Sequence, residues 1–413
     1  MPINEIVYHL LAILALVSLS VSGLVFAYHI FLAFVAWLPE RPRAHAQSHV
    51  TNKFVIVIPA HNEEHTLSLA LTSCEGLHYP KGRYDVYVIA DNCSDSTAAV
   101  AYASGVNVLV RNDPTRIGKG YAIRFAFDHI LATEVDVICI LDADCTLDSS
   151  ALSFANERIN AGASVLQCNN RTGNCDDNAI SLLLGVANAL ENDLYYAPKS
   201  RLGLFVPLRG TGMFMVKEIL CSYPWNAKSV VEDTEYSIQL ALEGVKVDFM
   251  PEVAVRSAFP STHHEMSVQR KRWLVGGVAT FLNHGKRLFN EGLRRGSIHL
   301  IDAALSPLVS TRPLIIAQLL LTFVLGAVLV TSEAYGDFGR LALQSAELIL
   351  VGYLLYVAAG LLNVGCTWRR CRLILHSPLV VANYLWLSAK SLRVGSQAEW
   401  VPTPRNVKKS EKK

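Results

Sequence analysis

Two carboxylates, two positions apart, close the apolar run "VICILDAD" (Val137 to Asp144). Such a run reads as a buried strand, so Asp142 and Asp144 would leave its end toward one cavity, where uncompensated charge is costly to desolvate. A hard divalent ion, Mg2+ or Mn2+, suits oxygen ligands of this kind and commonly bridges to a diphosphate. The competing reading is a turn or cap in which both aspartates only hold backbone amides. Two more polar clusters follow β-branched runs upstream, "PAHNEE" (Pro59 to Glu64) and "ADNCSD" (Ala90 to Asp95).

The elements around these clusters decide whether they can act together. Between Phe54 and Asp144, "FVIVIP", "VYVIAD", "VNVLV" and "VICILDAD" alternate with helical stretches that begin near Glu64, after Ser96 and near Lys119. That order predicts an α/β domain with parallel strands and crossover helices. Ligands of open sheets bind beyond the carboxyl ends of the strands, so three polar clusters would converge on one crevice.

Downstream, Glu232 and Asp233 precede a helical run, where carboxylates also favour the positive end of the helix dipole. "GTGMF" (Gly210 to Phe214) offers glycines that let backbone approach a ligand closely. If "EMSVQRKRW" is helical, Gln269, Arg272 and Trp273 share one face, while Arg270 and Lys271 point elsewhere. The following "LVGGVATFL" would then continue as an amphipathic helix at a membrane surface. His263 and His264 read as a surface pair, and Cys93 and Cys145 as packing residues. Asp142-x-Asp144-x-Thr146 also fits the nucleophile loop of haloacid-dehalogenase-like phosphatases. Such enzymes need a downstream lysine and an acidic pair after an apolar strand, whereas "CDD" (Cys175 to Asp177) follows "NNRTGN" and the loop sits late in the domain. A nicotinamide site is disfavoured because no GxGxxG follows the first strand.

The chain has 413 residues, 51% hydrophobic and 17% charged, so a soluble multidomain protein is disfavoured. A net charge of +2 gives no footprint for nucleic acid. The nine cysteines show neither CxxC pairs nor zinc spacing, which argues against a disulfide or metal framework. The first apolar run, Ile6 to Leu38, predicts one long tilted span, followed by "PERPRAH" on the cytoplasmic side. Further spans are expected over Pro313 to Val330 and about Leu341 to Asn363, with arginines after the latter marking a return to the cytoplasm. "LILHSPLVVANYLWLSAKSL" predicts a helix in the cytoplasmic interface. The organisation expected is a transmembrane helix in 1–40, a catalytic domain in 51–260 and interfacial helices in 261–297. Transmembrane and interfacial helices follow in 298–392, then a basic tail in 393–413.

Taken in order, "VIPAHNEE", "ADNCSD", "RIGKGYA", "LDADC", "LRGTGMF", "VVED" and "QRKRW" resemble the motifs of membrane-embedded family 2 glycosyltransferases. The chain is similar to the cellulose, hyaluronan, chitin and poly-N-acetylglucosamine synthase group and to ceramide glucosyltransferase. The resemblance covers about residues 54 to 275 and extends to "WVPTPR" in the tail. It implies a GT-A-like fold, a Rossmann-related mixed sheet with crossover helices, accompanied by transmembrane and interfacial helices.

Position by position, the resemblance implies that Asp91 accepts a hydrogen bond from uracil and that Pro59 and Glu63 belong to the nucleotide-sugar site. Lys119 matches the cation near the diphosphate, and Asp142 and Asp144 match the metal-binding DxD pair, with Asp144 the more direct ligand. Gly210, Thr211 and Gly212 match the loop beside the acceptor, and Asp233 matches the general base. Gln269 and Trp273 would border the acceptor sugar, and Arg272 would hold the diphosphate. Trp400, Thr403 and Arg405 match a segment that closes over the nucleotide. The chain departs from the pattern with Val231 where the acidic motif has threonine, and with Ala258 two positions before Pro260.

The implied activity is inverting, metal-dependent transfer from a UDP-sugar, building or extending a β-linked glycan. The alternative is a single transfer to a lipid such as a polyprenyl phosphate or a ceramide-like lipid. The implied setting is multi-pass in the plasma (inner) membrane with the catalytic domain cytoplasmic, and a homo-oligomer or an export partner would supply any secretion path.

Overall fold

The computed structural model describes residues 3–39, 50–226, 231–310 and 312–375, with Val380 and Ala382. Trp400, Thr403, Arg405 and most of the expected interfacial helix after α14 lie outside the described residues, as do the side chains of Arg272 and Trp273.

Helix α1 (Ile3–Trp37) precedes a domain that begins with β1 (Phe54–Ala60), α2 (Leu67–Glu75), β2 (Tyr84–Asp91) and α3 (Thr97–Ala103). There follow β3 (Asn107–Arg111), α4 (Lys119–Ile130), β4 (Val137–Ile140), β5 (Cys145–Leu147), α5 (Ala151–Asn160) and β6 (Val165–Thr172). Helix α6 (Ala179–Glu191) passes through a π turn (Asn192–Tyr196) into α7 (Ala197–Arg201), then β7 (Met213–Val216), α8 (Lys217–Ser222), α9 (Glu232–Leu242) and β8 (Asp248–Ser257). The chain continues with α10 (His263–Arg295), α11 (Ile298–Ser310), α12 (Arg312–Val330), α13 (Gly336–Val364) and α14 (Trp368–Ile374).

The strands form one mixed sheet in the order β3-β2-β1-β4-β7-β6-β8-β5. Strands β1 to β4 pair in parallel, as the alternating pattern predicts, and β7 enters antiparallel beside β4. Because β1 is covered on both faces, its residues are apolar throughout rather than alternating. Phe54, Ile56 and Ile58 pack with α2, α3 and α5, whereas Val55 and Val57 face α4 and α9, where Phe127, Trp225 and Tyr236 complete the core. The register Ala60↔Ala90 brings the ends of β1 and β2 level, so their polar clusters emerge side by side.

The segment predicted to be a helix carrying QxxRW followed by a second one is a single 33-residue helix, α10. Its start is fixed by Thr262, whose side chain accepts from the Glu265 amide, and its end by Gly296 in the left-handed region at φ 61°. Among the described residues, two helices, within Glu5–Trp37 and Gly336–Val364, are long and apolar enough to cross a membrane. The pair α11 and α12 would make a third if it counts as one span, bent by 65°. The C-terminal end of α1 is tied to the domain by Arg201, which donates to Val35 O and Leu38 O at 2.9 Å each. The C-terminal end of α13 is tied to it by Asn363, which donates to Asp193 Oδ2 at 3.2 Å. Helix α1 also packs on α12, with Ser18 and Thr322 hydroxyls 2.7 Å apart.

Candidate active site

The carboxyl ends of β2, β1 and β4 lie next to one another, and the polar clusters after β1 and β2 are bonded to each other. The His61 ring Nδ1 lies 2.7 Å from Asp91 O, joining the β1 and β2 ends. The Glu63 amide donates to Thr97 Oγ1 at 2.8 Å and the Glu64 amide to Asp95 Oδ2 at 3.1 Å, which docks the first cluster on the second. Asn62 and Asn92 take positive φ (56° and 49°), a conformation asparagine tolerates better than most residues and one that tight corners require.

Asp91 is buried, and its Oδ1 accepts from Arg111 Nη1 at 2.5 Å and from Asn92 Nδ2 at 3.1 Å. Burial pushes its carboxyl up, and the Arg111 guanidinium opposes the shift. Arg111 also donates to Asp113 Oδ2 at 3.2 Å and to Arg116 O at 2.8 Å, so it orients Asp91 and the loop after β3 together. Sequence reasoning missed Arg111, whose one visible signal is an arginine closing a strand beside the strand that Asp91 closes.

At the end of β4, Asp142 pairs with Lys119, the first residue of α4. The same ammonium donates to Gly210 O at 2.6 Å. Burial alone would push Lys119 toward its neutral form, but the carboxylates of Asp142, Glu232 and Asp233 outweigh it and hold it above the ordinary lysine range. Glu232 and Asp233 open α9, and burial raises both carboxyls, with Lys119 opposing. Asp233 Oδ1 accepts from the Thr234 amide at 2.7 Å. Its Oδ2 lies where a Cβ on Gly210 would meet it at 3.2 Å, with Lys119 Nζ 3.3 Å from the same point. The aspartate therefore holds an amide in the first turn of its helix and also reaches the loop beside Lys119.

That loop is fixed by side chains. Thr211 Oγ1 accepts from the Asp142 amide at 3.0 Å, and Gln167 Nε2 donates to Thr211 O at 2.9 Å. Gly210 and Gly212 have φ of 80° and 63°, the left-handed region that favours glycine. Asp142, Asp144, Lys119, Gly210, Thr211 and Asp233 thus share one locality, and Asp91 stands at the end of β2, separated from β4 by β1 alone. Pro59 is in β1, and Gln269 lies half-buried in α10, which runs helical through Arg272 and Trp273. His263 and His264 are exposed, and Cys145 is buried.

The donor set fits a hard divalent cation. Ligand atoms of Asp142, Asp144 and Cys145 lie within 4.8 Å of one another. Burial, then the adjacent Asp144 and Asp142, push the Cys145 thiol well above its ordinary range, and a hard divalent cation prefers the two carboxylate oxygens to sulfur.

Residues 52–276, more than half of the chain, match the family model described as "Glycosyltransferase like family 2". The chain is 26% identical to a probable glycosyltransferase, YdaM, of Bacillus subtilis over 68% of this chain and 69% of that one. It is also 26% identical to a beta-monoglucosyldiacylglycerol synthase of Trichormus variabilis, over 55% of this chain and 50% of the other. With glucomannan 4-beta-mannosyltransferase 1 of Oryza sativa it shares 24% identity, over 55% and 46% respectively. The chain thus spans about half the length of these two synthases. Among solved structures, the mannosyltransferase PcManGT of Pyrobaculum calidifontis, in complex with GDP-Man and Mn2+, superposes with a TM-score of 0.56 at 18% identity, covering 93% of this chain and 99% of that one. The fold is GT-A-like, and the chain is a glycosyltransferase that belongs to family 2.

Proposed function

We propose that this glycosyltransferase is inverting and metal-dependent, takes a UDP-sugar and builds or extends a β-linked glycan at the cytoplasmic face of the inner membrane. The single observation that carries the reading is the meeting of Lys119, Asp142 and Asp233 around Gly210, which sets charge for a departing diphosphate beside a carboxylate for an incoming hydroxyl.

Asp142 and Asp144 would hold Mg2+ or Mn2+, which would supply charge neutralisation to the leaving diphosphate. Lys119, paired with Asp142 in the structure, supports that diphosphate as a point charge. Asp91, oriented by Arg111, accepts the uracil N–H, and Pro59 and Glu63 form the floor beside it. Asp233 accepts the proton of the acceptor hydroxyl as it attacks the anomeric carbon from the side opposite the leaving group. Burial raises the Asp233 carboxyl and so strengthens it as a base. Gly210, Thr211 and Gly212 line the acceptor side, with Gln269 of α10 as its neighbour.

Helices α1 and α13, with the bent α11–α12 pair, anchor the domain, which contacts the C-terminal ends of both α1 and α13. The basic residues that follow those ends in the sequence support reading that side as cytoplasmic. A second reading, one transfer to a lipid acceptor, is favoured by the number of spanning-length helices among the described residues, two or three, which leaves little to enclose a polymer channel. Incubating membranes that contain the protein with individual UDP-sugars, then measuring UDP release and product size, tests both. A ladder or high polymer supports the first reading, and one lipid-linked sugar the second. Absence of UDP release with every UDP-sugar defeats both.

A further inference from the structure

The loop carrying Gly210 to Gly212 is held from behind by a break in a helix. Helix α6 widens at Asn192–Tyr196 into a π turn before resuming as α7. Such turns are rare and concentrate at functional positions. Here the turn presents Glu191 and Asn192 to Arg209, the residue directly before Gly210. Arg209 Nη2 donates to Glu191 Oε2 at 3.0 Å, and its Nη1 donates to Asn192 Oδ1. The guanidinium lies over the Tyr196 ring, 5.2 Å from its centroid, while the Tyr196 hydroxyl donates to the other Glu191 oxygen at 2.9 Å.

Backbone bonds complete the clamp. The Arg209 amide donates to Gln167 Oε1 at 2.8 Å, and the same glutamine reaches past Gly210 to Thr211 O. The next residue of the turn, Asp193, accepts from Arg171 at 3.0 and 2.6 Å and from Asn363 of α13 at 3.2 Å. One irregular turn therefore joins the Gly210 loop, the end of β6 and a membrane-length helix.

We propose that Arg209 is a positioning residue for the acceptor side of the site, clamping the 210–212 loop to the π turn and through it to α13. The proposal rests on reading that loop as the acceptor side. A forked guanidinium stacked on an aromatic ring fixes direction as well as charge, which a lysine ammonium cannot reproduce. Asn192 bonds Arg209, Asn170 and Asn188, and Tyr196 bonds Glu191, so the clamp acts through the loop.

Hydrogen–deuterium exchange of the full-length protein in nanodiscs tests the clamp without knowledge of the substrate. In Arg209→Gln and in Glu191→Gln, amides of residues 208–213 are expected to exchange about tenfold faster, with strands β1 to β4 unchanged and Arg209→Lys intermediate. Unaltered loop exchange in Arg209→Gln overturns the proposal. So does acceleration throughout the sheet with a lowered Tm, which marks general support of the fold. The kinetic arm uses UDP-glucose with dioleoylglycerol in phosphatidylcholine vesicles, where the KM for the acceptor should rise about tenfold while that for the donor stays within about twofold. A wild-type protein that releases no UDP from any UDP-sugar defeats the proposed function, and the exchange result still decides the clamp.

Discussion

Lys119 Nζ and Gly210 O lie 2.6 Å apart, joining the first residue of α4 to a loop 91 positions later in the chain. With Asp142 and Asp233 on either side, this ammonium links one member of the proposed cation-binding pair to the proposed base. Lys119→Met keeps the length of the side chain and removes its charge. It should weaken UDP-sugar binding about tenfold or more, measured by titration calorimetry in the presence of Mn2+. Unchanged affinity would remove Lys119 from the diphosphate site.

The pH dependence follows from the same cluster. Burial raises both Glu232 and Asp233, the Asp233 carboxylate raises Glu232 further and the Asp142 carboxylate raises Asp233, and Lys119 pulls both down. A base must be ionised, so kcat/KM falls as pH drops through the apparent pKa of the pair, which lies above the ordinary carboxylate range of roughly 4. Glu232→Gln removes a negative neighbour and should move this acidic limb to lower pH by about one unit. Shifts in the other direction, read from pH–rate profiles, would separate Asp233 from the proton transfer.

Gly212 tests the loop by shape. A Cβ there would meet Val255 Cγ2 at 2.6 Å and Cys168 Cβ at 2.8 Å, at a φ of 63°. Gly212→Ala should therefore destabilise the domain by about 1–3 kcal/mol, measured as a lowered Tm, and reduce turnover further by displacing Thr211. A stable, fully active alanine variant would show that the loop has room to move.

Between the domain and α11, Lys199 is wholly buried and pairs with Asp302 Oδ2 at 2.9 Å. Tyr28 of α1 donates to Asp302 Oδ1 at 2.7 Å, and the Phe205 amide donates to Oδ2 at 2.8 Å. Removing one member leaves a buried charge unpaired, so Asp302→Ala should cost about 3–5 kcal/mol, while the double change Lys199→Met with Asp302→Leu costs less than either single change. Thermal unfolding in detergent measures both, and additive losses would contradict the pairing.

Much of the catalytic layout was legible because strands covered on both faces leave an apolar signature. "FVIVIP", "VYVIAD" and "VICILDAD" each gave a strand whose polar end falls where the sheet needs it, and the Rossmann-like order placed those ends together. Pairing across the chain was not legible. Nothing in the sequence ties Arg111 to Asp91, since the contact depends on β3 lying beside β2 in register Asp91↔Arg111. The π turn left no mark either, because "NDLYY" continues a helical pattern and the extra residue is stabilised by tertiary partners such as Arg209 and Arg171. Helix α10 extends beyond the short helix that QxxRW suggests because nothing between Thr262 and Gly296 breaks it.

The most direct measurement compares Asp144→Asn and Asp233→Asn side by side for UDP-sugar binding and for transfer at saturating Mn2+. Asp233→Asn should bind the donor with near wild-type affinity and transfer at a rate lower by about a hundredfold or more, whereas Asp144→Asn should lose the metal-dependent part of donor binding. Full turnover by either variant would contradict a shared centre built from β4, α4 and α9.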